Sequence, residues 1–234
     1  MHNQTTPLLS GRGLIKRYGQ QHALAGVDID VHAGEVLAIV GPSGSGKTSL
    51  LHVLAGILRA EEGQITLAGQ RIDQLNETRR SELRRTEFGF VFQSGMLVTE
   101  LTAEENVALP LLLGDRDKRE SIAAARDWLG RLGLAGKEGR RPGELSGGEA
   151  QRVAIARAIT HRPKVIFADE PTGALDTKTG HATVHALIDA ARATGAAVII
   201  VTHDRELAAA VPRTVSIRDG QIERQASARA VPVA

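Results

Sequence analysis

Three short stretches of this 234-residue chain hold residue types and spacings suited to handling phosphate. Residues 41–48, GPSGSGKT, match the pattern G-x-x-x-x-G-K-[ST]. Gly41, Gly44 and Gly46 leave room for backbone N–H groups to converge on an anion, and Pro42, Ser43 and Ser45 complete the loop. Lys47 is expected to neutralise the β and γ phosphates of a nucleoside triphosphate, and the Thr48 hydroxyl to bind Mg²⁺. Residues 165–170, VIFADE, end an apolar run in two carboxylates. Asp169 is expected to hold Mg²⁺ through water, and Glu170 to polarise an attacking water. The third stretch, ELSGGEAQR at 144–152, sets Ser146, Gly147 and Gly148 before a helix-prone run. They can offer a hydroxyl and several N–H groups to an anion at a helix start. Ser146 with Glu149 also fits a capping box. Capping accounts for those two residues but not for two adjacent glycines, which weaken a helix. On residues alone the two readings stand level.

The elements around these stretches fix their context. EVLAIV (35–40) reads as a strand buried on both faces, and SLLHVLAGIL after Lys47 is apolar at helical spacing. The glycine loop therefore sits between a strand and a helix. LLSGRGLIKRYG and HALAGVDIDVH read as an opening antiparallel pair, the second alternating through Val27, Ile29 and Val31. GQITLAGQRI (63–72) reads as a hairpin, ETRRSELRR (77–85) as a charged helix with a solvated face, and FGFVFQ (88–93) as a strand. From 94 to 160 the pattern is helical, with Pro110 breaking the first helix and VALPLLL forming core. Strands return at KVIFADE and AAVIIVTH with a helix between them, which predicts a parallel sheet covered by helices. TVSIRDGQIER predicts a hairpin turning at Asp219-Gly220.

Composition narrows the function classes. A hydrophobic content of 42% supports a sizeable core, and a net charge of +2 gives no phosphate-binding stripe for nucleic acid. No cysteine is present, which excludes disulfides, thiolate metal sites and a thiol nucleophile. Residues 1–13 lack the basic-then-apolar order of a signal peptide, and no apolar run is long enough to span a bilayer.

The set GPSGSGKT, LSGGEAQR, VIFADE, GALD and VTHD, in that context, resembles the nucleotide-binding subunit of ATP-binding cassette (ABC) transporters over about residues 8–223. The resemblance implies an α/β fold: a P-loop NTPase (RecA-like) core with an N-terminal antiparallel β subdomain and an inserted helical subdomain. One domain, 8–225, is expected, with core at 8–93 and 161–225, helical subdomain at 94–160 and a flexible tail at 226–234. ATP and Mg²⁺ are implied. By the same resemblance Tyr18 stacks on adenine, Ser49 touches the α-phosphate, and Gln93 contacts Mg²⁺ and the attacking water. His203 contacts the γ-phosphate, and Asp176 crosses a dimer interface. The resemblance also implies a head-to-tail homodimer, in which Ser146, Gly147, Gly148 and Glu149 of one chain close over the ATP of the other.

FGFVFQSGMLVTELTAEENVALPLLLG and ADEPTGALDTKTG are similar to the branch of lipoprotein-release ATPases, macrolide exporters and ATPases of cell-division permeases. QSGMLVTE departs from the Leu-Leu-Pro pattern more usual there. The implied partner is an integral membrane permease encoded as a separate chain, placing the protein peripherally on the cytoplasmic face of the cell membrane. The alternative is the ATPase of a membrane regulator of cell-wall or cell-division enzymes, with no transport.

Overall fold

Strand β1 (Leu9–Tyr18) lies antiparallel to β2 (Gln21–Val31), in register from Leu9 opposite Val31 to Tyr18 opposite Gln21. This computed structural model describes residues 6–227. Its contacts divide the chain into two compact units, one running to Glu82 and resuming at Ala197, the other Leu83–Ala196. Among the described residues no helix is long and apolar enough to cross a membrane.

In the first unit, Val27, Ile29 and Val31 of β2 are buried while Asp28 faces solvent, the alternation of a half-exposed sheet. β4 (Glu62–Leu67) and the short β5 (Gln70–Arg71) extend this sheet in the order β2-β1-β4-β5. A second layer holds β3 (Val36–Val40) between β8 (Ala197–Thr202) and β9 (Arg213–Arg218), all three parallel. Every residue of β8 is buried, as its unbroken apolar run requires. β10 (Gln221–Ser227) returns antiparallel to β9 through Asp219-Gly220, whose φ angles of 47° and 74° are both left-handed, as a two-residue I′ turn demands. Ala226 and Ser227 thus belong to a strand, and 228–234, the rest of the expected tail, lie outside the described residues. Helix α1 (Lys47–Leu54) buries Leu50, Leu51, Val53 and Leu54. A short helix not evident in the sequence, α7 (Arg205–Ala209), is started by Asp204, whose carboxylate accepts from the N–H groups of Glu206 and Leu207.

The charged helix α2 (Glu77–Thr86) is exposed along most of its length, but Arg80 is buried and paired with Glu77.

The second unit pairs β6 (Phe88–Phe92) with β7 (Val165–Asp169) in parallel, Phe88 opposite Val165 through Phe92 opposite Asp169. Phe88 meets Phe167 edge-on with ring centroids 5.1 Å apart. Around the pair lie α3 (Ala103–Leu112), α4 (Lys118–Arg131), α5 (Gly147–Ile159) and α6 (Thr177–Thr194). The helical stretch 94–160 falls wholly inside this unit. Pro110 does not break α3. The helix continues to Leu112, and Leu113 N–H still reaches the carbonyl of Leu109. A proline removes one donor, and this one falls in the last turn, where little helix remains to be lost. Val107, Ala108 and Leu111 are buried as core, while Leu113 at the end of VALPLLL is 60% exposed.

Candidate active site

In the first unit the glycine loop runs from the end of β3 into α1. Gly46, at φ 105°, is the helix N-cap, and a Cβ there would lie 2.2 Å from the carbonyl oxygen of Ala23. Only glycine fits both the left-handed angle and that approach. Lys47 is buried and curls over the loop, its Nζ donating to the carbonyls of Gly41 and Pro42 at 2.9 Å each. An ammonium carries three protons, so these two bonds fix its place without exhausting it. Ser45 Oγ is buried with no hydrogen-bond partner, an expensive state for a hydroxyl and one that a bound anion would relieve. Tyr18, Gln21, Ala23 and the loop from Gly44 to Ser49 line one cavity of about 270 Å³. The structure therefore brings Tyr18 to the same site as Lys47, Thr48 and Ser49. Tyr18 is 53% exposed, with Lys16 Nζ 5.6 Å from its ring centroid. It is an exposed aromatic face beside a phosphate loop, the arrangement a purine can stack on.

His203 does not line that cavity. It borders a second one of about 600 Å³ on the other flank of the loop, with Gly41, Pro42, Ser216, Arg218 and Glu223. The cavity's polar lining was not legible from sequence, because Thr214, Ser216 and Arg218 read only as alternating residues of a C-terminal hairpin.

In the second unit, Asp169 ends β7 and Glu170 follows in the left-handed conformation, φ 46°, with its carbonyl accepting from Gly173 N–H at 3.0 Å. A non-glycine residue in that region is strained, and such strain concentrates where a side chain must be aimed. Gln93 leaves the end of β6 and lies across the same turn. A Cβ on Gly173 would stand 2.6 Å from Gln93 Nε2. Gly173, unremarked in the sequence, is what gives the glutamine its space. Asp176 caps α6, its carboxylate accepting from Thr179 N–H at 3.0 Å, and hydrogen bonds from the Thr179 side chain first and its N–H second lower its pKa. This local role explains Asp176 without any second chain.

The start of α5 resolves part of the ambiguity left by sequence. The capping box is present: Ser146 N–H donates to the Glu149 carboxylate at 2.9 Å and Glu149 N–H to Ser146 Oγ at 3.3 Å. Lys137 Nζ stands 3.4 Å from the same carboxylate. The bond from Ser146 is the first cause holding the Glu149 carboxyl below its ordinary range. The glycine pair has a packing reason as well. A Cβ on Gly148 would fall 2.5 Å from Thr179 Cγ2, and one on Gly147 3.3 Å from Leu175 Cδ2. Ser146 and Gly147 themselves are exposed.

The Thr48 hydroxyl in the first unit, and the Gln93 amide carbonyl and Asp169 carboxylate in the second, are each oxygen donors of the kind Mg²⁺ takes.

A family model described as ABC transporter matches residues 24–173, well over half of the chain. The chain is 45% identical to the lipoprotein-releasing system ATP-binding protein LolD 2 of Caulobacter vibrioides, across 94% of this chain and 98% of that protein. It is also 45% identical to the macrolide export ATP-binding/permease protein MacB of Nitrosomonas europaea, across 92% of this chain but 33% of that protein. Among solved structures, the ATP-binding cassette MJ0796, in a dimeric post-hydrolysis state bound to ADP and Pi, superposes with a TM-score of 0.85 at 35% identity. That match covers 95% of this chain and 100% of that one.

Proposed function

The chain belongs to the ABC transporter family, as an ATP-binding and ATP-hydrolysing cassette, and from that premise we propose that it pairs with a second copy on ATP and drives a separate membrane permease in export or lipoprotein release. The observation that carries this reading is the likeness to LolD 2. The chain matches LolD 2 nearly end to end, but only about a third of the MacB protein, which includes a permease in its name. Among the described residues no helix is long and apolar enough to cross a membrane, which supports a partner that supplies the membrane part, with this chain on the cytoplasmic face.

Each residue then has a role. Tyr18 stacks on the base, and the loop from Gly41 to Thr48, with Ser49, holds the phosphates. Lys47 donates a hydrogen bond from its remaining N–H to the terminal phosphates, and Ser45 Oγ gains the partner it lacks. Thr48, Gln93 and Asp169 hold Mg²⁺, which when bound offsets charge building on the transferred phosphoryl group. Glu170, aimed by its left-handed backbone, takes a proton from the attacking water, and His203 contacts the γ-phosphate. Ser146, Gly147, Gly148 and Glu149 face the ATP of the other copy. Exposed Ser146 and Gly147 support that reading, since this chain leaves them open to a partner.

Affinity purification of the tagged protein from gently solubilised native membranes tests the proposal. A co-purifying permease with a large external domain is expected. Recovery of soluble partners alone would overturn the membrane role and leave the ATP chemistry standing.

A further inference from the structure

The segment after β6, which begins with Gln93, is held by three side chains from helices of its own unit. Gln151 Nε2 donates to the Phe92 carbonyl at 2.9 Å. Asn106, fully buried, accepts from Val98 N–H at 2.8 Å and shares its amide protons among the carbonyls of Val98, Leu101 and Thr102. Between these anchors stands Arg157 of α5. Its Nη1 donates to the Met96 carbonyl and its Nη2 to the Gly95 carbonyl, both at 2.7 Å. Gly95 and Met96 are both left-handed, at φ 69° and 45°, so two successive carbonyls turn toward one guanidinium.

This is an unusual use of an arginine. Its partners are carbonyl oxygens rather than a carboxylate, and burial lowers its pKa. Taking a cation from water without a counter-ion is unfavourable, so a packing role alone would be better served by an apolar side chain. A planar fork with donors at fixed spacing is suited to fixing the path of a backbone. The same bonds leave the Met96 side chain 61% exposed at the tip of the loop.

We propose that Arg157 is a positioning residue that ties the loop carrying Gln93 to the helix that starts at Ser146, so that the two elements move as one piece. Its consequence for turnover rests on the reading of Gln93 and Ser146 as ATP-facing groups. A displacement of the loop tip is then passed directly to the cradle that closes on the other copy's ATP. The loop cannot flex to absorb it, because its carbonyls are bonded to α5.

The test combines amide hydrogen exchange with ATPase kinetics on the full chain, comparing wild type, Arg157→Ala and Arg157→Lys. In Arg157→Ala, exchange across Gly95–Val98 is expected to quicken about 10-fold while the amides of β3 and α1 keep their protection. Turnover should fall about 10-fold with KM for ATP within about two-fold, the sign of a lost alignment rather than lost binding. Lysine, with one ammonium for two carbonyls, should restore part of both. Loop exchange at the wild-type rate in Arg157→Ala would overturn the proposal, whatever happens to turnover. Equal quickening across all amides would also overturn it, by reducing Arg157 to general packing. If the alanine variant does not fold, Arg157→Lys decides by loop exchange measured against α6. A wild-type protein without ATP turnover would sink the functional reading instead, while the exchange data still judge the clamp.

Discussion

The chain contains two glycine-rich helix starts, and they are built to opposite ends. At the start of α1 the donors are left over: Ser45 Oγ has no partner, Lys47 is held over a loop lining a cavity, and Gly46 is forced by backbone angle and by Ala23. At the start of α5 part of the polar capacity is filled from within. The Glu149 carboxylate takes the Ser146 N–H, Ser146 Oγ takes the Glu149 N–H, and Gly148 serves close packing on Thr179. A glycine-rich helix start is therefore not in itself a site ready for phosphate within the isolated chain. What marks readiness is polar capacity that the chain's own fold does not use. The first start is ready to receive an anion, whereas at the second an incoming anion must displace Glu149.

The largest effect that would sharpen this contrast is on nucleotide binding. Lys47→Ala should weaken ATP binding about 100-fold or more, read by fluorescence titration, because it removes a buried, pre-placed cation from the phosphate loop. Ser146→Ala should leave binding of ATP to the isolated chain within about two-fold, since its hydroxyl oxygen serves the capping box of α5. Equal losses in both variants would break the comparison. Glu170→Gln should keep ATP affinity and lower turnover about 100-fold in a phosphate-release assay. Gly148→Ala should lower stability by about 1–3 kcal/mol in chemical denaturation, because its methyl group would overlap Thr179. An unchanged midpoint would remove the packing explanation for that glycine. Gly173→Ala should reduce turnover a few-fold by displacing Gln93, with little change in stability, since a flexible side chain can yield.

The smallest effect concerns pH. Glu149 has a folded pKa below its ordinary value of 4.5, so its capping contribution is complete above that value and is lost as pH falls through the depressed one. Glu149→Gln should flatten this acid limb in thermal unfolding followed against pH. The same variant removes a negative charge from the second helix start, so ATP-dependent pairing should strengthen slightly. Weaker pairing would show that the carboxylate itself is used.

Much of this was legible in the sequence, for reasons that differ by place. The β3–loop–α1 unit and the Asp219-Gly220 hairpin were legible because glycine, lysine and turn residues have few local alternatives. Pro110 was misread because its position in the last turn of α3 is set by where the helix ends, which periodicity locates poorly. α7 escaped notice because five residues after a strand carry too little periodicity. Arg157, Asn106 and Gly173 were silent for a deeper reason. Each matters through a partner distant in sequence, and nothing about an arginine on a helix announces two carbonyls on a loop. Arg80 shows the same limit in reverse, a buried cation inside a segment that reads as a charged helix with a solvated face. In the α5 start the capping box was visible, but the packing use of its glycines needed α6 in place.

One measurement bears most directly on the claim that the second helix start serves the nucleotide of another copy. The chain has no cysteine, so Ser43→Cys with Ser146→Cys introduces the only two thiols. Oxidation of this variant with and without ATP, followed by a non-reducing gel, reports which thiols meet. A covalent dimer is expected to form with ATP and not without it. Consumption of both thiols in a species that still runs as a monomer would contradict it, placing the Ser146 start over the chain's own nucleotide loop.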